Sequence, residues 1–261
     1  MTAQSDRDVV YIVKASENNP ELLHSLRSVA KNLPHRRVWI VGYRPRWVAA
    51  DVGYVQTIQR GPKHSNTWQN WVSATRCPDI SDEFVLFNDD FFVTKPTDDL
   101  PTVHRGPLGE MIDWYARHRL TSHRQRAAVT RRALQRAGRA EPLYSYELHT
   151  PMVINRHILA EGVALLNSGR STAGVNIAKR TFYGNLAGVG GERSPDVKVM
   201  KGAEGLPEVS LPFLSTSPHS WTGLAGGWIR QLFAEPGRYE RVPSGGLYQP
   251  PAVRRPASAR R

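Results

Sequence analysis

The chain has 261 residues, a single cysteine and a formal net charge of +12. That length gives one sizeable domain or two small ones, one cysteine excludes an internal disulfide framework, and no apolar run reaches the ~20 residues that span a bilayer. The basic excess favours phosphate-bearing or polyanionic partners.

Asp8 to Val13, DVVYIV, reads as a first strand. Asn19 is a good helix N-cap and Pro20 fits the first helical position. Leu22, Leu26, Val29, Ala30 and Leu33 follow at helical spacing, and Pro34 closes that helix. Arg37 to Gly42 reads as the next strand, so the pair forms a βαβ unit with parallel strands. Tyr54 to Ile58 reads as a third, shorter strand. Ser65 or Asn66 is placed to cap a helix carrying Trp68, Trp71, Val72 and Thr75. Glu83 to Phe87 has the length and composition of a buried central strand. The first hundred residues therefore predict an α/β sheet with its ligand edge at Asn88 to Phe92.

Leu108 to Arg119 and Arg124 to Ala137 read as helices, with Gly138 as a C-terminal stop. They form a helical insertion over about residues 106–140, a lid or docking arm with a thin apolar stripe. Arg117 to Arg139 carries eight arginines, two histidines and no acid; a solvated helix face is the alternative to a phosphate contact. Leu148 to Ile154 reads as extended and Ile158 to Leu166 as helical. Gly169 to Gly191 suits a loop with short elements lining a cleft better than core. Leu211 to Ser217 reads as extended and Gly227 to Ala234 as a short helix. Residues 1–242 are expected to form one α/β domain, and the Pro-, Gly- and Arg-rich residues 243–261 a disordered basic tail. The opening, MTAQSDRDVVY, has neither signal-peptide nor transit-peptide character, so the expected location is cytoplasmic.

The central strand stops at Asn88-Asp89-Asp90. Adjacent carboxylates at a buried strand end are costly unless solvated, hydrogen-bonded or bound to a cation. Ligands of open α/β sheets bind outside the carboxyl ends of the strands, and paired acids there suit a divalent metal bridging phosphate oxygens. An ordinary Asx-type turn is the alternative.

Four stretches in this order, NPELLHSLRSVAKNLPHRRVWIVG, SNTWQNW, FVLFNDDFFVTKP and ELHTPMVI, resemble the Stealth family. Those proteins are sugar-phosphate transferases of bacterial capsule synthesis and include the animal N-acetylglucosamine-1-phosphotransferase. The resemblance spans about Asp8 to Asp196 in blocks. It implies a GT-A-like nucleotide-sugar transferase core, a nucleotide-diphospho-sugar donor, and magnesium or manganese at Asp89 and Asp90. It implies transfer of hexose-1-phosphate to a hydroxyl of a glycan or protein acceptor. His149, in Glu-Leu-His-Thr-Pro, matches the family's third region; an imidazole there serves as general base, against a histidine simply bonded in a strand. Arg180 stands where the family carries an Arg-Phe-Arg-like element, and its fork suits a phosphate. Asp90 completes the catalytic set. Arg27, Asn66, Asn88, Tyr183 and Asn185 are candidate substrate contacts, with exposed, capping or turn roles as alternatives.

The chain departs from the family where Trp-Val-Asp is usual: it has Ile12-Val13-Lys14, and Lys14 is a candidate point charge for a diphosphate. The C-terminal stretch Phe213 to Glu240 is similar to short proteins described as glycosyltransferases of actinobacteria and their phages. A second expectation is therefore a metal-dependent glycosyltransferase that moves only the sugar. A nucleic-acid-binding protein is a third, but no helix-turn-helix, zinc pattern or stacking platform supports it.

Overall fold

The computed structural model describes residues 6–168, 176–200 and 211–241. Strand β1 (Asp8–Val13) is buried at all six positions, the condition of a parallel strand covered on both faces. It lies between β2 (Val38–Gly42) and β4 (Glu83–Asn88), parallel to each. Beyond β2 runs β3 (Gly53–Gln56), also parallel, and beyond β4 runs β7 (Met152–Asn155), antiparallel. The five strands have the order β3-β2-β1-β4-β7. The chain is thus mixed α/β with a mostly parallel central sheet.

Alternation along the strands divides the core. Val9, Tyr11, Val13, Ile40, Val85 and Phe87 face helix α1 (Pro20–Asn32) through its Leu22, Leu26 and Val29. Val10, Ile12, Trp39, Val41, Phe84 and Leu86 face the other layer. There α2 (Lys63–Arg76) contributes Trp71 and Ala74, and α5 (Arg156–Ser168) contributes Leu159. One helix follows β1 and covers one face; the next precedes β4 and covers the other.

Asn19 and Pro20 start α1 as the sequence predicts: the Asn19 side chain accepts from Leu22 N, and Pro20 takes the first helical position. The start of α2 differs from expectation. It begins at Lys63 with Pro62 at the cap and no side-chain capping bond, so neither Ser65 nor Asn66 caps it. Proline's fixed φ sets the entry without a polar side chain.

After β4 the chain leaves the main sheet. β5 (Phe91–Val93) joins a three-stranded sheet with β10 (Phe213–Thr216) and β9 (Lys198–Val199) in the order β5-β10-β9. The insertion is helical as predicted: α3 (Leu108–Arg117) and α4 (Thr121–Arg136). Short β6 (Val103–His104) and β8 (Glu192–Arg193) pair beside it.

The segment expected to be a loop with short elements lining a cleft contains instead a helix set in the core, α6 (Lys179–Leu186). Its Phe182 packs with Leu134 of α4 and Val163 of α5, and Tyr183 joins the sheet-facing core. Gly184 makes this possible, since a Cβ there would meet the Tyr146 ring at 2.4 Å. Two short helices, α7 (Pro218–Thr222) and α8 (Leu224–Leu232), complete the described chain. Residues 243–261, expected to form a disordered tail, lie outside the described residues.

Candidate active site

Strand order reverses between β1 and β4. At such a switch point the covering helices diverge and leave a crevice beyond the strand ends. Lys14, directly after β1, is exposed there. Its backbone is fixed by Gln59, which accepts from Ala15 N at 2.9 Å and donates to Val13 O at 2.7 Å. Gly42 at the end of β2 admits this close approach: its φ is +123°, and a Cβ would meet Val13 O at 2.1 Å.

β4 ends at partly buried Asn88, in register with Ile12. Asp89 and Asp90 form the turn into β5. Asp89 Oδ2 accepts from Asn19 Nδ2 at 2.8 Å, while Asn19 Oδ1 accepts from Leu22 N at 3.1 Å. One amide therefore caps α1 and holds the acid at the helix's positive end. Burial raises the Asp89 carboxyl above its ordinary range; Asn19 opposes, Asp90 adds to the rise and Lys14 offsets it.

Asp90 Oδ2 accepts from Lys198 Nζ at 2.9 Å and from Ser215 Oγ at 3.3 Å, and its carbonyl accepts from Thr216 N at 3.2 Å. Glu21, in the first turn of α1, accepts from Thr216 Oγ1 at 2.6 Å. Its carboxyl is also raised, by burial first and then by the charges of Asp90 and Asp89, against the Thr216 bond. Three carboxylates thus share this corner with the Lys198 ammonium.

His149 stands on the same edge. Its Nδ1 lies 2.8 Å from Asp196 Oδ2, and its backbone N donates to Asp196 Oδ1 at 3.0 Å. Burial works to raise the Asp196 carboxyl, but the hydrogen bonds and charge of His149 outweigh it and hold it below the ordinary value. A tautomer with Nδ1–H donating to Asp196 leaves the Nε2 lone pair available, on a side chain 36% exposed. Phe91, the residue after the acid pair, makes an edge contact with the imidazole at 6.3 Å and lies under the Arg180 guanidinium at 5.2 Å.

Arg180 is only 8% exposed. Its Nη1 donates to Thr150 O at 2.6 Å, and its buried Nη2 has no hydrogen-bond partner. Burial lowers the guanidinium below its ordinary range, and Glu147, Asp90 and Asp196 act against that. The structure therefore brings Asp89, Asp90, Asn88, Lys14, His149 and Arg180 to one end of the sheet.

Four other candidate contacts are engaged elsewhere. Arg27 is buried: Nε and Nη2 donate to the two Glu240 oxygens at 2.7 Å, and Nη1 to Phe233 O and Ala234 O. It fastens α1 to the C-terminal segment, and every donor group has an acceptor. Asn66 accepts from Gly61 N and donates to Gly61 O, closing the loop before α2. The Tyr183 hydroxyl accepts from Asn155 N at 2.6 Å within the core. Asn185 accepts from Tyr144 N and donates to Tyr144 O and Thr181 O. For these four, local hydrogen-bonding demand takes the side chain away from the crevice.

Sequence reasoning missed Asp196 and Lys198. They lie two residues apart, at and just before β9, and reach His149 and Asp90 respectively. Nothing local marks them, because their partners lie 47 and 108 residues away along the chain. The insertion's arginines are partly structural: Arg131 pairs with Glu141 at 2.7 Å and Arg139 donates to Leu186 O at 2.6 Å.

Among the described residues no group of three or more His, Cys, Asp or Glu side chains is arranged to hold a metal ion. Glu21 is tied to Thr216 and Asp90 to Lys198. Asp89, its ionisation disfavoured by burial, has an amide partner and, among the described residues, no ion pair. Two oxygen-donor carboxylates suit an open magnesium or manganese site better than a closed protein cage. No protein-family model matches the chain, and no curated protein matches it.

Proposed function

We propose that the protein is a nucleotide-sugar-dependent transferase with a GT-A-like core, moving hexose-1-phosphate to an acceptor hydroxyl. The observation that carries this reading is the Asp196–His149 pair on the same sheet edge as the Asp89–Asp90 acid pair, the two linked through the β9 segment. A general base with an oriented tautomer, beside acids suited to a cation, is the equipment of phosphoryl transfer to a hydroxyl.

In this mechanism the acceptor hydroxyl lies against His149 Nε2. Its oxygen attacks the sugar-proximal phosphorus while Nε2 takes its proton. The new bond is oxygen to phosphorus. The bond that breaks joins that phosphorus to the oxygen bridging to the nucleoside phosphate, which leaves as a nucleoside monophosphate. Asp196 holds the imidazole and stabilises its protonated form, as a carboxylate does beside a catalytic histidine. Arg180, with an unpaired Nη2, and Lys198 would supply positive charge to the developing phosphate charge. Lys14 offers a further point charge to the donor diphosphate. Asp89 and Asp90 would hold a divalent ion, which when bound offsets charge on phosphate oxygens.

A donor labelled in its sugar-proximal phosphate tests the reading. Label in the acceptor product with monophosphate release supports it. Label in a released diphosphate means that only the sugar moves, the runner-up chemistry on the same site. If no nucleotide-sugar is consumed, and none stabilises the protein to heat with or without manganese, both forms of the reading fall.

A further inference from the structure

A second cluster of cations lies on the insertion side of His149. Lys179 opens α6 and is only 8% exposed. Among the described residues its ammonium has no hydrogen-bond or ion-pair partner. The side chain is enclosed while its Nζ, unlike Arg180 Nη2, is not fully buried and so meets solvent. Glu147, the acid whose charge acts on Lys179, directs Oε1 to the start of α6, where it accepts from Thr181 N at 3.1 Å and from Thr181 Oγ1 at 3.3 Å. Next along the chain, Arg180 also keeps one buried Nη2 without an acceptor. α4 packs on this helix start, with Thr130 Oγ1 accepting from Ala178 N, and sends partly buried Arg126 toward it. Arg126 Nη1 lies 3.1 Å from His64 Nε2, which brings in the first turn of α2. Lys179 of α6 and Arg126 of α4 therefore bring two cations together beside His64 of α2, with Glu147 as the nearby acid.

We propose that this cluster, with Lys179 as its main cation and Arg126 beside it, binds a phosphate group carried by the acceptor. The assignment to the acceptor rests on the transferase reading above. Arg180 stands between the two regions: Thr150, whose carbonyl it holds, adjoins His149, and the acid pair lies beyond Phe91. The donor belongs at the switch point with Asp89, Asp90 and Lys14. A group seated at Lys179 approaches His149 from the other side, where the attacking hydroxyl must be. Burial lowers the Lys179 ammonium to about 8, with Glu147 opposing and Arg126 reinforcing the shift. His64 is lowered too, by burial and then by Arg126 and Lys179. The groups facing Lys179 are thus Glu147, Arg126 from α4 and His64 from α2, and a phosphate dianion entering among them draws a proton onto Lys179.

Calorimetry on the full chain tests this with hexose 6-phosphate, the unphosphorylated hexose and a panel of nucleoside diphosphates with manganese. The phosphate ester is expected to bind and the plain hexose not. Lys179→Met should weaken ester binding at least about tenfold, and Arg126→Gln should weaken it less. Diphosphate binding should stay unchanged in both variants. At pH 8 the ester's binding heat should vary with the buffer's ionisation heat, reporting proton uptake, and that variation should vanish in Lys179→Met. Ester binding unaffected by Lys179→Met overturns the inference. So does displacement of the ester by a saturating diphosphate, which would make this the donor's own phosphate site. Diphosphate binding without ester binding sinks the inference and leaves the transferase reading standing. Ester binding without binding of any diphosphate supports the cluster and removes the reading beneath its assignment.

Discussion

Two aspartates mark opposite ends of the same sheet. Asp8 begins β1, is fully buried, and accepts from Arg36 Nε and Nη2, Trp39 Nε1 and Ser81 N. Asp89 follows β4, is partly buried, and has one side-chain donor, Asn19. The arginines divide in the same way. Arg27 uses every donor group on Glu240, Phe233 and Ala234, whereas Arg180 leaves Nη2 unpaired. Buried polar groups are normally satisfied, so the closed set serves the fold. The open set retains bonding capacity that the fold does not use, and it gathers where the strand order reverses. Burial alone would not separate the two, since Arg27 and Arg180 are 7% and 8% exposed. Partner accounting does.

The largest expected effect is on the open side. His149→Ala should lower transfer about 10²–10⁴-fold while leaving the thermal midpoint nearly unchanged. Asp196→Asn should lower it within the same range, because an amide can donate to Nδ1 and reverse the tautomer. Turnover and melting measured together decide this: a large loss of stability in His149→Ala would move the residue to the closed side. The next effect is on that closed side. Arg27→Met leaves Glu240 buried with only Gly237 N as donor. Stability should fall about 3–5 kcal/mol in urea unfolding, and donor affinity per folded molecule should not change. If donor binding falls first, Arg27 is a substrate residue after all.

The closed side and the open side were not equally legible in the sequence. Strands β1 and β4, helix α1 and its Asn19-Pro20 start follow from short-range pattern and cap chemistry, and the structure has them within a residue. The edge carrying Asn88-Asp89-Asp90 was legible because acids interrupting an apolar run conflict locally with burial. Helix α6 was not. Gly- and Ser/Thr-rich flanks mask an eight-residue helix whose stability comes from Phe182 and Tyr183 meeting distant partners. Asn66, Tyr183 and Asn185 looked like site residues by type, yet their hydrogen bonds go to backbone groups: Asn66 to nearby Gly61, Tyr183 and Asn185 to Asn155 and Tyr144, which only folding brings near. Asp196 and Lys198 were invisible for the converse reason: their short strand has no pattern of its own, and it acquires meaning only beside β10.

The finest distinction is one of sign with pH. A carboxyl whose folded-state pKa lies above its unfolded value binds its proton more tightly when folded. Its stability contribution is therefore complete below the unfolded value and is lost as pH rises through the folded one. Asp89 is such a group, raised first by burial; Asp196, held below its ordinary value, is the reverse and loses its contribution as pH falls. Asp89→Asn keeps an acceptor for Asn19 and removes the charge. It should be as stable as the parent at low pH and more stable at neutral pH, with the gap opening as pH climbs above the ordinary aspartate range. Urea midpoints from about pH 3, below the ordinary aspartate value, up through neutrality follow the gap directly. Manganese with a nucleoside diphosphate should then reverse the order, stabilising the parent more than the variant, since only the parent keeps both carboxylates for the cation. A parent that is the more stable protein at neutral pH without ligand would place Asp89 with Asp8, among the acids that hold the sheet together.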